Sequence, residues 1–297
     1  MDIYENLQLH ILKYIPDKSN ILYNFILTNK LYKHALEDRL NTVYWEEVED
    51  IIGKKEVEKM KQGSELKELN LNDNKMDVKA CKHLTHALVE MTGLTTLNLG
   101  YNQIDAKAFK HLAPALTKMT QLKTLSLSGN KIDAKACDHL AKILAEMTAL
   151  ELLLLGKNQI DSEGFYYLAP VLPGMTGLKS LWLDGNKIDA KACEQLAPSL
   201  TKMTALKRLH LHDNQMGAEG IKHLAPALEK MMALKELQLS WNQMGVKGCE
   251  HLAPVLVKMT VLERLHLRWN QIDTDGKEIM QEAWRNAGKN QNHGLYL

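Results

Sequence analysis

Four cysteines and five histidines recur at fixed intervals, and theirs is the chemistry to weigh first. Cys81, Cys137, Cys193 and Cys249 stand 56 residues apart, an arrangement that invites a metal site or disulfides. His83, His111, His139, His223 and His251 fall on a 28-residue column interrupted by Tyr167 and Gln195. Zinc needs its ligands around one ion, and a disulfide needs its Cα atoms within about 7 Å. If each 28-residue unit supplies one helix and helices pack about 10 Å apart, consecutive cysteines lie about 20 Å from each other. Neither chemistry survives that separation. The thiols read instead as buried residues alternating with Phe109, Phe165 and Ile221 in one helical column, and the histidines as flanks of its apolar stripe. The chain shows no Gly-rich phosphate loop, no metal-spaced His/Cys set and no nucleophile elbow. The expectation is therefore a protein that is not an enzyme and uses neither a cofactor nor a metal.

The elements that hold these columns come from a repeat. Asn74, Asn102, Asn130, Asn158, Asn186, Asn214, Asn242 and Asn270 keep a 28-residue spacing without a slip, the mark of a solenoid. Three leucine columns run through every copy, as in Leu122, Leu125 and Leu127. The last two of them lie two residues apart, on one face of a short strand. The period then changes: Ala108, Phe109, Leu112, Ala113 and Leu116 form a helical stripe. Asp77, Asp105, Asp133, Asp161 and Asp189 sit where a helix N-cap belongs, and Gly217 and Gly245 replace them with weaker caps. Pro114, Pro170, Pro198, Pro226 and Pro254 fall in the last turn and a half of the helix, which predicts a kink or a shortened helix with its final leucine still inward. Strands stack about 4.8 Å apart and helices roughly 8–10 Å, so the stack bends toward its strands.

The string Leu-Lys-Thr-Leu-Ser-Leu-Ser-Gly-Asn-Lys-Ile at 122–132 resembles the leucine-rich-repeat motif, and the 28-residue unit is similar to the ribonuclease-inhibitor subclass. The resemblance implies an α/β fold: a curved horseshoe solenoid with a parallel β-sheet inside, helices outside, and asparagine side chains bonding backbone between turns. Eight repeats are assigned to residues 64–287. The end of the chain, Lys277 to Leu297 with Trp284 and Tyr296, reads as a closing cap that frays into a tail at 288–297.

Strand residues beside the leucines face away from the core and make the candidate binding surface. The first repeats offer small polar side chains there. The later ones offer Leu152, Leu154, Trp182, Asp184, Arg208, His210, His212, Trp241, Arg264, His266, Arg268 and Trp269. Tryptophan and arginine dominate binding energy at interfaces, which favours an unknown protein or peptide target. The competing reading lays the tryptophans flat over small neighbours to stabilise the sheet. Net charge is +1, from 37 basic and 36 acidic residues, and gives no argument for nucleic acid. No apolar run is long enough to span a membrane.

The repeat fails before residue 64, leaving an all-α domain at 1–53 and a charged linker at 54–63. Leu7-Gln8-Leu9-His10-Ile11-Leu12-Lys13-Tyr14-Ile15-Pro16, then Thr28-Asn29-Lys30-Leu31-Tyr32 and Tyr44-Trp45, resemble an F-box, with Gln8 where that family usually has proline. The resemblance implies a substrate-recognition subunit of a Skp–cullin–F-box ubiquitin ligase. Leu7, Ile11, Leu12, Ile15, Leu22 and Phe25 would dock a Skp-type adaptor. The alternative is an interaction scaffold whose N-terminal helices only cap the solenoid. Unpaired cysteines and the lack of an N-terminal signal pattern point to the cytoplasm, or to a host cytoplasm if the chain is a secreted bacterial effector, a class that combines these two modules.

Overall fold

The computed structural model describes Val57, residues 66–290 and residues 293–297. They belong to the second of two units into which the chain divides, Val48–Leu297. The adaptor-docking residues Leu7, Ile11, Leu12, Ile15, Leu22 and Phe25 lie outside the described residues.

The described chain alternates short strands with helices. The strands are β1 Glu68–Asn70, β2 Thr96–Asn98, β3 Thr124–Ser126, β4 Leu152–Leu154, β5 Ser180–Trp182, β6 Arg208–His210, β7 Glu236–Gln238, β8 Arg264–His266 and β9 Leu295–Tyr296. They form one sheet in sequence order, every pairing parallel. From β1 to β8 the register is one repeat, as in Leu69 opposite Leu97 and Leu181 opposite Leu209. Between the strands run α1 Val78–Leu88, α2 Ala106–Leu116, α3 Ala134–Leu144, α4 Ser162–Leu168, α5 Ala190–Leu200, α6 Gly217–Leu228, α7 Gly245–Lys258 and α8 Thr274–Asn286. Sheet and helices thus form the two layers of a curved solenoid, with the leucine columns between them, all buried.

Asparagine ties each turn to the next. Asn130 Nδ2 donates to Leu99 O at 3.0 Å and Leu127 O at 2.9 Å, while its Oδ1 accepts from Ile104 N at 3.1 Å. One side chain therefore satisfies three buried backbone groups that a strand of three residues cannot reach. Aspartate caps begin the helices as the sequence implies: Asp105 Oδ1 accepts from Ala108 N at 2.9 Å. Asp273 adds a cap at the last helix, with Oδ1 2.9 Å from Gly276 N. Where glycine replaces aspartate the arrangement changes. Gly217 takes φ +59° and α6 has no side-chain cap. Its N–H donates to Asn242 O at 2.9 Å, and Asn242 Oδ1 is left buried without a partner.

A second sulfur column completes the core. Met91, Met119, Met147, Met175, Met203, Met231 and Met259 follow the helices at the same 28-residue spacing, and all are buried. Their flexible thioethers fill the turn where the chain leaves the helix for the next strand.

Two expectations need correcting. Proline does not generally shorten the helices: α2 carries Pro114 and α3 carries none, yet each has 11 residues. Pro114 and Lys110, the residue whose carbonyl loses its helical donor to the proline, are both exposed, so water is at hand to replace that bond. Only α4 is short, at 7 residues; Pro170 is followed there by Pro173 and a 3-10 turn at Leu172–Gly174. The final leucines of the proline-bearing helices remain buried.

Nor does the end of the chain fray. β9 joins β8, Leu265 opposite Leu295 and His266 opposite Tyr296. Trp284 is buried and donates from Nε1 to Asn290 O at 3.0 Å, and Lys289 Nζ bonds Thr260 O at 2.9 Å. These contacts carry the chain round one further turn, with 30 residues rather than 28 between paired positions.

Candidate protein-binding surface on the concave sheet

The columns beside the central leucines line the inner face of the sheet, and strands β5 to β8 carry most of the large side chains. Parallel in-register pairing places each side chain about 4.8 Å from its counterpart one repeat on, so aromatic rings in one column stack. Trp182 lies over His210, ring centroids 4.3 Å apart, and Trp241 over Trp269 at 5.0 Å. His266 stacks on Tyr296 at 4.2 Å, and the Arg268 guanidinium sits 5.6 Å from the same ring.

The candidate residues divide by exposure. Arg208, Arg264 and Arg268 are exposed, together with Trp241 at 53% and Trp269 at 68%. Leu152, Leu154, Trp182, His212 and His266 are half-buried. His210 at 7% and Asp184 at 8% are covered. This corrects the expectation that the inner wall sends all of these groups into open solvent. Trp182 roofs His210 and donates from Nε1 to Ser180 Oγ at 3.0 Å, so that ring does stabilise the sheet surface.

Glu236 is the electrostatic hub. Its Oε2 accepts from Arg264 at 2.7 Å and its Oε1 from Gln238 at 3.0 Å. Burial pushes its carboxyl pKa up, but the bonds from Arg264 and Gln238 outweigh burial and hold it down at about 2. His210 Nε2 stands 3.3 Å from Glu236 Oε1, off the line of a hydrogen bond. Burial lowers the His210 pKa against the opposing pull of Glu236, and burial also lowers that of His266. His212 Nε2 is 3.7 Å from Asp184 Oδ2. Glu236 was not among the residues singled out from the sequence. Its role was legible in the 28-residue offset from Arg264, which the register turns into a cross-strand pair. Tyr296 was missed because its spacing breaks the period.

The backbone supplies a further observation. The residue closing each strand turn is left-handed: Gly129 and Gly185 are at φ +69° and +61°, Trp241 and Trp269 at +60° and +61°, and Asp73, Tyr101, Lys157 and Asp213 share the conformation, so the turn accepts side chains of several kinds. Glycine adopts this conformation freely, whereas for a bulky side chain it is an outlier costing of order 1 kcal/mol. Fold alone does not ask for tryptophan there.

The cysteines stay structural. All four are free and buried, and burial pushes the thiols of Cys81, Cys193 and Cys249 up to about 12. Their neighbours are small: a Cβ on Gly220 would stand 3.1 Å from Cys193 Sγ. Among the described residues no group of three or more His, Cys, Asp or Glu side chains is placed to hold a metal ion, and no helix is long and apolar enough to cross a membrane.

Comparison with known proteins agrees with this geometry. The Leucine Rich repeat family model matches residues 91–109, 118–141, 202–225, 230–253 and 258–276. No curated protein matches the chain in sequence. Among solved structures, internalin C2 from Listeria monocytogenes is similar at 21% identity and TM-score 0.53, over 84% of this chain and 88% of its own. The ectodomain of the Arabidopsis receptor kinase HAESA, solved with a peptide hormone, is 22% identical at TM-score 0.41, over 64% of this chain. A second HAESA complex is 19% identical at TM-score 0.45, over 73% of this chain. The chain spans only 28% and 33% of the HAESA chains. The internalin likeness shows the fold. The cytoplasmic expectation is not borne out: one of the matched structures is a receptor-kinase ectodomain. Thiols kept apart by two repeats stay unpaired by geometry, so their free state says nothing of compartment.

Proposed function

We propose that this leucine-rich-repeat solenoid is a non-catalytic interaction scaffold that holds a protein partner on the concave face of β5 to β8. The observation that carries the reading is the pair Trp241 and Trp269, stacked on each other and exposed at the turns after β7 and β8. Large aromatic rings exposed side by side on a sheet need a reason, and tryptophan is enriched among the anchors of interface energy. Replacing Trp241 by glycine removes the ring without adding strain. A partner that co-purifies with the full chain, once identified and purified, should lose about thirty-fold or more in affinity for Trp241→Gly. Undiminished affinity in a folded Trp241→Gly protein would overturn the reading.

The F-box resemblance of residues 1–53 supports a finer version, in which Leu7, Ile11, Leu12, Ile15, Leu22 and Phe25 dock a Skp-type adaptor and the concave sheet presents the ligase's target. A purified Skp-type adaptor should then be retained by the parent chain and released by the double variant Leu12→Ala, Ile15→Ala. If the parent retains no adaptor, the ligase version fails and the scaffold reading stands without it.

A further inference from the structure

The balance of charge on this face narrows the partner, given the concave reading above. Three of its carboxylates have basic company: Glu151 pairs with Lys179, Glu236 with Arg264 at 2.7 Å and Glu263 with Lys235, while Asp184 lies 3.7 Å from His212 and exposed Asp213 makes no ion pair among the described residues. Arg208 and Arg268 differ. Both are exposed, and among the described residues no carboxylate lies within 4.0 Å of either. Arg208 stands at the entry of β6 and Arg268 just beyond β8; Gln238 lies midway on the diagonal between them, with His210 to one side and the Arg264-paired Glu236 to the other. Two strand spacings across and four residues along place the two guanidinium-bearing positions roughly 16 Å apart, the reach of about five extended residues. Beyond Arg268 the stacked rings of Trp241 and Trp269 offer an apolar floor.

We propose that this diagonal takes an extended acidic peptide segment of a partner protein, with carboxylates on Arg208 and Arg268 and an apolar side chain against Trp241 and Trp269. Guanidinium groups suit the task because they bind carboxylates through two parallel hydrogen bonds. The ion pairs of Glu151, Glu236 and Glu263 offset three of the acids on the face. A basic segment would meet the reverse situation, with two uncompensated cations in its path.

The test uses the full chain and three fluorescein-labelled peptides of about ten residues, long enough to cover the diagonal. They alternate alanine with glutamate, glutamine or lysine and end in leucine. Fluorescence anisotropy should show the glutamate peptide binding, and the glutamine and lysine peptides at least about ten-fold weaker. Arg208→Gln and Arg268→Gln should each weaken the glutamate peptide about ten-fold, while Lys107→Gln on α2 should leave it unchanged. Binding of the lysine peptide at equal strength, no binding of the glutamate peptide, or indifference to both arginine variants in folded protein each overturns the proposal. The failure is separable from that of the concave reading. A co-purified partner lost on Trp241→Gly but indifferent to Arg208→Gln and Arg268→Gln leaves the surface standing and removes only the acidic class. One indifferent to all three removes both.

Discussion

Two residues on the inner wall show how a surface side chain can serve recognition and stability differently. Trp241 is exposed and strained. Glycine at that position relieves the left-handed backbone, whereas alanine keeps the strain, so Trp241→Gly should be more stable than Trp241→Ala by about 1 kcal/mol in chemical denaturation. Equal stability would show that the turn tolerates side chains without cost. Glu236 acts in the opposite sense. Its carboxyl is held at about 2 against an ordinary 4.5, so the stability it contributes is complete above pH 4.5 and is lost as pH falls toward 2. Screening at a face open on one side reduces that contribution to roughly 1–2 kcal/mol. His210 has a lowered pKa, so folding disfavours its protonation, and stability declines as pH falls below 6.5. Melting curves of Glu236→Gln should therefore flatten between pH 4.5 and 2 relative to the parent, while the decline that begins near pH 6.5 persists. An unchanged acid limb would mean that the Arg264 pair contributes nothing to folding.

At the scale of the element, three-residue strands are viable only because asparagine takes over the bonds they cannot make. Asn130 is buried and serves neighbours on two turns, while among the described residues the Nδ2 of Asn74 bonds only Asn72 O, at an exposed site. Asn130→Ala leaves several buried backbone groups unpaired and should cost about 2–4 kcal/mol, against less than about 1 kcal/mol for Asn74→Ala. Similar losses for both in urea titrations would refute a ladder whose strength depends on burial. Asparagine, leucine and aspartate columns were legible in the sequence because each position repeats its environment every 28 residues. The proline effect was not, because it turns on which carbonyl loses its donor and whether water reaches it. His210 was misjudged for a related reason: its cover comes from Trp182 one strand before, and its charge environment from Glu236 one strand after. Neither is visible within its own repeat.

For the molecule as a whole, a solenoid has two ends to close, and β9 closes one of them. Leu265 N bonds Gly294 O at 2.6 Å and Leu267 N bonds Tyr296 O at 2.7 Å, so removing residues 290–297 would bare the edge of β8 and take the acceptor from Trp284. The truncated chain should unfold at lower urea concentration and associate through the open strand, seen as a concentration-dependent rise in light scattering. The sequence reading placed a closing cap at Lys277 to Leu297 but not its strand, because 30 residues separate the paired positions and the segment lacks the leucine columns.

The central claim is that the partner sits on the inner wall between β5 and β8, and side-chain footprinting addresses it most directly. With the co-purified partner bound to the full chain, oxidative labelling of Trp241 and Trp269 should fall sharply, while Tyr166, exposed on α4, labels as in the free protein. Protection of Tyr166 with both tryptophans still labelled would place the partner on the helical side and contradict the account.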